Sequence, residues 1–149
     1  FINRLVGSGK AQTGDRPGVT KGQQWLRVGR EMELLDTPGI LWPKFDDAIV
    51  GLRLAVTGAI KDEIVDKVEI AYYLIDYLKT HYFDFLKDRY QIEDGEQNLT
   101  DLIEQIGRRR GCVISGGEID HEKTAELVLR DFRGGKIGRI SLEQPEDWQ

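Results

Sequence analysis

A chain of 149 residues suits one compact domain, or a domain with a fragment of another, and can bury a core without staples. Its formal net charge of −5 excludes a general polyanion binder, so any nucleic-acid contact has to come from a local basic patch. A single cysteine, Cys112, excludes an internal disulfide, and no run approaches the roughly 20 apolar residues that cross a bilayer. The expected location is the cytoplasm, with no membrane partner. The chain opens on Phe1 and its one methionine is Met32, so its start reads as a cut or processed end.

Residues 1–5 read as the tail of a helix ended by Gly7, Ser8 and Gly9. Residues 11–23 carry Gly14, Asp15, Pro17, Gly18 and Gly22 and are expected to form a loop. Two short apolar-rich runs, 25–28 and 32–35, flank Gly29-Arg30-Glu31, which predicts a β-hairpin. Asp36-Thr37-Pro38-Gly39 breaks its second strand. Beyond Pro43 the pattern turns helical, with helices expected over 46–60, 68–81 and Phe83–Tyr90. Asn98 is placed to cap a helix over 99–110, and Asp120 to cap His121–Arg133, which Gly134 would end. Residues 137–142 are expected to form a short extended tail. The division is thus a β-containing piece over 1–43 and a helical domain over 44–149.

The chemistry gathers in the first piece. An Asp closing a strand, as Asp36 is expected to, can hold a magnesium ion directly or through water. A Gly three residues on lets a backbone N–H approach a terminal phosphate with no side chain in the way. Taken alone, D-x-x-G fits a plain turn equally well. Upstream, however, Asp15-Arg16-Pro17-Gly18-Val19-Thr20 puts a Thr hydroxyl in a Gly-rich loop, where it can coordinate magnesium. A loop with Thr, a hairpin and then D-x-x-G is the order of switch I and switch II in P-loop GTPases, and the pair is far more specific than either part.

The run from Thr13-Gly14-Asp15-Arg16-Pro17-Gly18-Val19-Thr20, through Gln23-Gln24-Trp25, to Leu34-Leu35-Asp36-Thr37-Pro38-Gly39-Ile40-Leu41-Trp42-Pro43 resembles the YlqF/RbgA family of ribosome biogenesis GTPases. Gly51-Leu52-Arg53-Leu54-Ala55, Arg110-Gly111-Cys112, Ser115-Gly116-Gly117 and Arg130-Asp131-Phe132-Arg133 extend the resemblance over essentially the whole chain. The resemblance implies a circularly permuted G domain. Residues 1–43 would be a partial α/β P-loop domain, its switch half, and a mostly α-helical C-terminal domain would follow. It implies GTP and Mg2+ as ligands, with Thr20 and Asp36 on the metal side and Thr37, Pro38 and Gly39 against the nucleotide. It further implies that the intact protein hydrolyses GTP in late assembly of the large (50S) ribosomal subunit. The implied partners are the subunit precursor and rRNA, with no DNA. The rival reading is a non-enzymatic helical module that binds RNA or protein.

This sequence departs from the pattern in places. No G-x-x-x-x-G-K-[ST] occurs in the 149 residues: Val6-Gly7-Ser8-Gly9-Lys10-Ala11 imitates its end, but Arg4 stands at the first Gly and Ala11 at the hydroxyl. Asn98-Leu99-Thr100-Asp101 imitates the guanine motif with Leu99 in place of Lys, and reads better as a helix cap. The chain alone is therefore expected to be inactive. Ile40 follows Gly39 where Ras-like enzymes carry a water-orienting Gln, so no catalytic residue is assigned. For RNA, Arg108, Arg109 and Arg110 close one expected helix. Arg130, Arg133, Lys136 and Arg139 follow at the end of the next and are expected to join them in one patch, with a solvated helix end as the plainer alternative. Tyr72, Tyr73 and Tyr77 are expected in the core or at its rim, and Trp42-Pro43 as an anchor after switch II.

Overall fold

The computed structural model describes residues 22–28, 32–36, 47–93 and 98–148, the side chains of Val28, Asp36, Glu146 and Trp148 aside. The chain divides into two compact units, Phe1–Asp46 and Asp47–Gln149. In the first, strands β1 (Gln24–Val28) and β2 (Met32–Asp36) pair antiparallel from Gln24↔Asp36 to Val28↔Met32. The pairing follows from the pattern. Leu26 and Leu34 stand opposite each other and Leu26 is buried, while Arg27 and Glu33 pair opposite charges on the other face. The expected hairpin is present, each strand one residue longer than its apolar run. Residues 1–21, with the expected helix tail and most of the loop, lie outside the described residues, as do Trp42 and Pro43.

The second unit is a run of five helices, α1 (Ala48–Val56), α2 (Lys67–His81), α3 (Phe83–Tyr90), α4 (Leu99–Arg109) and α5 (His121–Arg133). A 3₁₀ turn, Asp62–Ile64, separates α1 from α2, and another, Pro145–Trp148, lies beyond α5. Short polar side chains start four of these helices, all but α3, by accepting orphan amides. Asp47 accepts from Ile49, Asp66 from Val68 and Glu69, Asn98 from Asp101, and Asp120 from Lys123. Each such cap stabilises its helix by about 1 kcal/mol. Asn98 is thus the cap its sequence context predicts. Helix α3 ends on Gln91, whose φ of 55° is left-handed, and α5 ends at Gly134.

Helix α2 lies at the centre of this unit and packs against α1, α3, α4 and α5. Its Ile70, Ala71, Leu74, Ile75 and Leu78 repeat at helical spacing and are all buried. Leu86, Ile103, Ile106, Val128 and Leu129 close the core from the neighbouring helices. Tyr72, Tyr73 and Tyr77 sit at its rim, half-buried. The segment expected as an extended tail pairs with no strand among the described residues. It runs back over the helices as an irregular strap instead, because Ile137 and Leu142 both reach the core.

Candidate functional site

The two candidate surfaces fall in different units. In the first unit, Asp36 is the last residue of β2, opposite Gln24, so the D-x-x-G motif begins where the strand ends. Thr20, Thr37, Pro38 and Gly39 lie outside the described residues.

In the second unit the basic residues separate into distinct settings. Arg108 and Arg109 occupy the last turn of α4, where cations meet the negative end of the helix dipole. Arg108 donates through Nη1 to the Gly117 carbonyl at 3.0 Å, with Glu104 a looser partner at 3.9 Å. Arg109 pairs with Glu93 at 3.0 Å. Arg110 donates to the Arg89 carbonyl and holds its guanidinium 5.2 Å from the centre of the Tyr90 ring, a cation–π contact.

That contact leads to a network with no counterpart in the sequence reading. Asp131 is buried, its side chain 4% exposed, and takes Arg89 Nε at 3.0 Å and Nη2 at 2.8 Å on one oxygen. The Tyr90 hydroxyl donates to the same oxygen at 3.4 Å, and Lys136 approaches the other at 3.9 Å. Burial first, and the Asp131 charge second, push the Tyr90 hydroxyl far above its ordinary pKa, so it stays a proton donor. Arg89 and Lys136 therefore face one buried carboxylate, two cations against one negative charge, and Arg110 lies over the Tyr90 ring that donates to it. A signal was there to find: Asp131 shares the apolar spacing of Thr124, Val128 and their neighbours on α5, and an Asp on a core face needs partners.

Arg133 turns elsewhere. Its Nε donates to the Val56 carbonyl at 3.0 Å and Nη2 to that of Ala55 at 2.9 Å. Nη1 and Nη2 also take both Asp62 oxygens, at 3.0 and 2.9 Å. The guanidinium thereby satisfies the Val56 carbonyl, adds a second donor to the Ala55 carbonyl that the Gly58 N–H already reaches, and ties α5 to the following turn. Arg130 and Arg139 are exposed and make no ion pair or side-chain hydrogen bond among the described residues. The helical packing thus links Arg110 and Lys136 only through the Arg89–Asp131–Tyr90 network, keeps Arg108 and Arg109 at the end of α4, and commits Arg133 inside the fold.

Comparison with known proteins shows the family. The family described as 50S ribosome-binding GTPase matches residues 1–115. The chain is 54% identical over 148 residues to ribosome biogenesis GTPase A of Bacillus cereus, covering 99% of this chain and 50% of that protein. It is 30% identical over 148 residues to the Thermotoga maritima protein of the same name, covering 99% and 52%. Its fold matches the GDP-bound structure of T. maritima YlqF with a TM-score of 0.57 at 26% identity, over 98% of this chain and 55% of that one. The chain spans about half the length of the curated relatives it matches.

Proposed function

Because the chain belongs to the family of 50S ribosome-binding GTPases, of the ribosome biogenesis GTPase A type, we propose that it is the switch half and helical domain of a GTP-hydrolysing assembly factor. The observation that carries this reading is the order of its parts: a Thr-bearing Gly-rich loop, the β1–β2 hairpin, and D-x-x-G opening at the end of β2. In the intact protein Thr20 and Asp36 face magnesium, and Thr37, Pro38 and Gly39 border the terminal phosphate of GTP. An Asp at a strand end suits this role, since the strand fixes its backbone while the loop beyond is free to follow the nucleotide. The metal, once bound, supplies positive charge against the phosphate oxygens. Ile40 offers no hydrogen bond to water, so hydrolysis draws its water-orienting group from another segment, a cation or the ribosome. The protein works in the cytoplasm.

The helical domain contacts rRNA of the large-subunit precursor through Arg108, Arg109, Arg110, Arg130, Lys136 and Arg139, while Arg133 holds helix ends together. The exposed Arg130 and Arg139, which pair with no group among the described residues, support this, because a chain of net charge −5 needs local unpaired cations to meet phosphate.

Two measurements test the switch assignment. In the intact protein, Thr20→Ala and Asp36→Ala should each abolish GTP-dependent co-sedimentation with large-subunit precursor particles while leaving the fold intact. Normal co-sedimentation of either variant would show that the switches are assigned wrongly. The 149 residues hold no G-x-x-x-x-G-K-[ST], so this chain by itself should show no saturable micromolar binding of a fluorescent GTP analogue.

A further inference from the structure

Between α4 and α5 the chain does not simply turn; it projects a finger. Six consecutive residues, 113–118, are exposed, while Cys112 and Ile119 at the root are buried at 1% and 7%. Hydrogen bonds hold the finger in one shape. Cys112 N–H donates to the Gly107 carbonyl at 2.8 Å and Asp120 N–H to Cys112 at 2.8 Å, and Val113 bridges Ile119. Ile114 N–H donates to Glu118 at 2.9 Å, and Gly117 N–H returns to Ile114 at 3.1 Å, closing a tight turn. That turn needs glycine: Gly116 and Gly117 have φ of 103° and 83°, and nothing lies within 4 Å of where their Cβ atoms would be. Arg108 braces the turn through the Gly117 carbonyl.

The bare, glycine-tipped finger serves no packing purpose, since none of residues 113–118 joins the core or packs against it. Its tip carries two exposed apolar side chains, Val113 at 45% and Ile114 at 48%. Beside them, the Ser115 and Gly116 amides donate to no group among the described residues. Residues 108–118 carry three arginines against Glu118 alone; Arg109 shares Glu93 and Arg110 turns to the Arg89 carbonyl, which leaves Arg108 beside the turn. Two small apolar side chains make too little area for a protein interface core. Free amides and an adjacent guanidinium group suit a sugar–phosphate backbone instead.

We infer that this finger is an RNA-gripping element. It lays its Gly-Gly turn against an RNA sugar–phosphate backbone. Glycine lets the backbone amides approach phosphate and 2′-hydroxyl oxygens as a side chain would not, the strategy of glycine-rich loops that clamp RNA backbones. Val113 and Ile114 pack on ribose faces, and Arg108 and Arg109 reach flanking phosphates. The inference rests on the rRNA-binding reading of the helical domain and adds the surface that makes the contact.

The test uses the intact protein, large-subunit precursor particles and isolated large-subunit rRNA. A photoreactive benzophenone amino acid replaces Ile114, and the crosslinked partner is identified as RNA or protein. In parallel, Ser115→Asp and Ile114→Ser are compared with wild type for rRNA affinity across a salt series. Both positions are exposed, so thermal melting should not move. The expected result is a crosslink to rRNA and an affinity loss of about tenfold for Ser115→Asp, where like charge meets phosphate. A crosslink to ribosomal protein alone, or unchanged rRNA affinity in both variants with wild-type binding intact, overturns the finger. Failure of the wild-type protein to bind rRNA at any salt concentration overturns the rRNA-binding reading as well. A loss on Arg130→Ala and Arg139→Ala with an inert finger leaves that reading standing and removes only this surface.

Discussion

Arg133 shows how much one side chain can join. A single guanidinium closes two carbonyls at the end of α1 and both oxygens of Asp62, across more than 70 residues of sequence. Hydrogen bonds to charged groups are each worth about 1.5–3 kcal/mol, and here several are removed together and the buried Val56 carbonyl loses its donor. Arg133→Ala should therefore destabilise the helical unit by about 2–3 kcal/mol in denaturant melts. Arg133→Lys should recover little, because an ammonium cannot span carbonyls and carboxylate in one plane. A variant within about 0.5 kcal/mol of wild type would show the clamp to be idle. The same residue marks a limit of sequence reading. An Arg at the end of an amphipathic helix looks alike whether it faces solvent, RNA or a distant helix end. The sequence expectation put it with Arg130 in an RNA patch, and only packing reveals its partners. Asp131 was equally silent about Arg89 and Tyr90, which lie some 40 residues away.

At the scale of elements, what was legible was local. Asn98 and Asp120 were readable as caps because a cap is set by a residue and the amides two or three positions on. The hairpin was readable because two apolar runs around Gly29-Arg30-Glu31 leave few other pairings. The C-terminal strap was not, since its hold is long-range. Tyr77 donates to the Ser141 carbonyl at 3.0 Å, Gln144 to Tyr77 at 3.1 Å, and Arg53 pairs with Asp147 at 2.9 Å. The Gln144 amide, opposed in part by burial and aided by Arg53, holds the Asp147 carboxyl below its usual pKa. A carboxyl depressed in the folded state lends its stabilisation above the unfolded pKa and loses it as pH falls through the folded value. The strap should hence loosen on acidification below about pH 4 before the core does. Faster hydrogen exchange at the Gln144 amide is the readout. Asp147→Asn should speed that exchange at neutral pH and remove its acid dependence; the same acid profile in both proteins would assign the loosening to another group.

For the whole molecule the proposed rRNA contact sets an electrostatic problem, because a chain of net charge −5 would have to meet phosphate. Uniform charge would fail at this, whereas segregated charge would turn repulsion into orientation, the acidic remainder facing away from phosphate. Segregation alone does not say which cations are available. Arg133 is bound inside the fold, Arg109 is partly neutralised by Glu93, and Lys136 shares Asp131 with Arg89. Arg130 and Arg139 have no partner among the described residues, so they give up nothing within the fold when they meet a phosphate. For the same reason their removal should be structurally mild, within about 0.5 kcal/mol in a melt. In the intact protein, Arg130→Ala with Arg139→Ala should weaken rRNA binding at low salt and flatten the dependence of log K on log salt. Each phosphate that is no longer neutralised should lower the slope by about 0.7–0.9. Arg133→Ala supplies the contrast, since it should lower stability and leave the slope of the folded fraction unchanged. If the double variant keeps the wild-type slope, the exposed cations of α5 and the strap are solvated ends, and the RNA contact belongs to the α4 end and its finger alone.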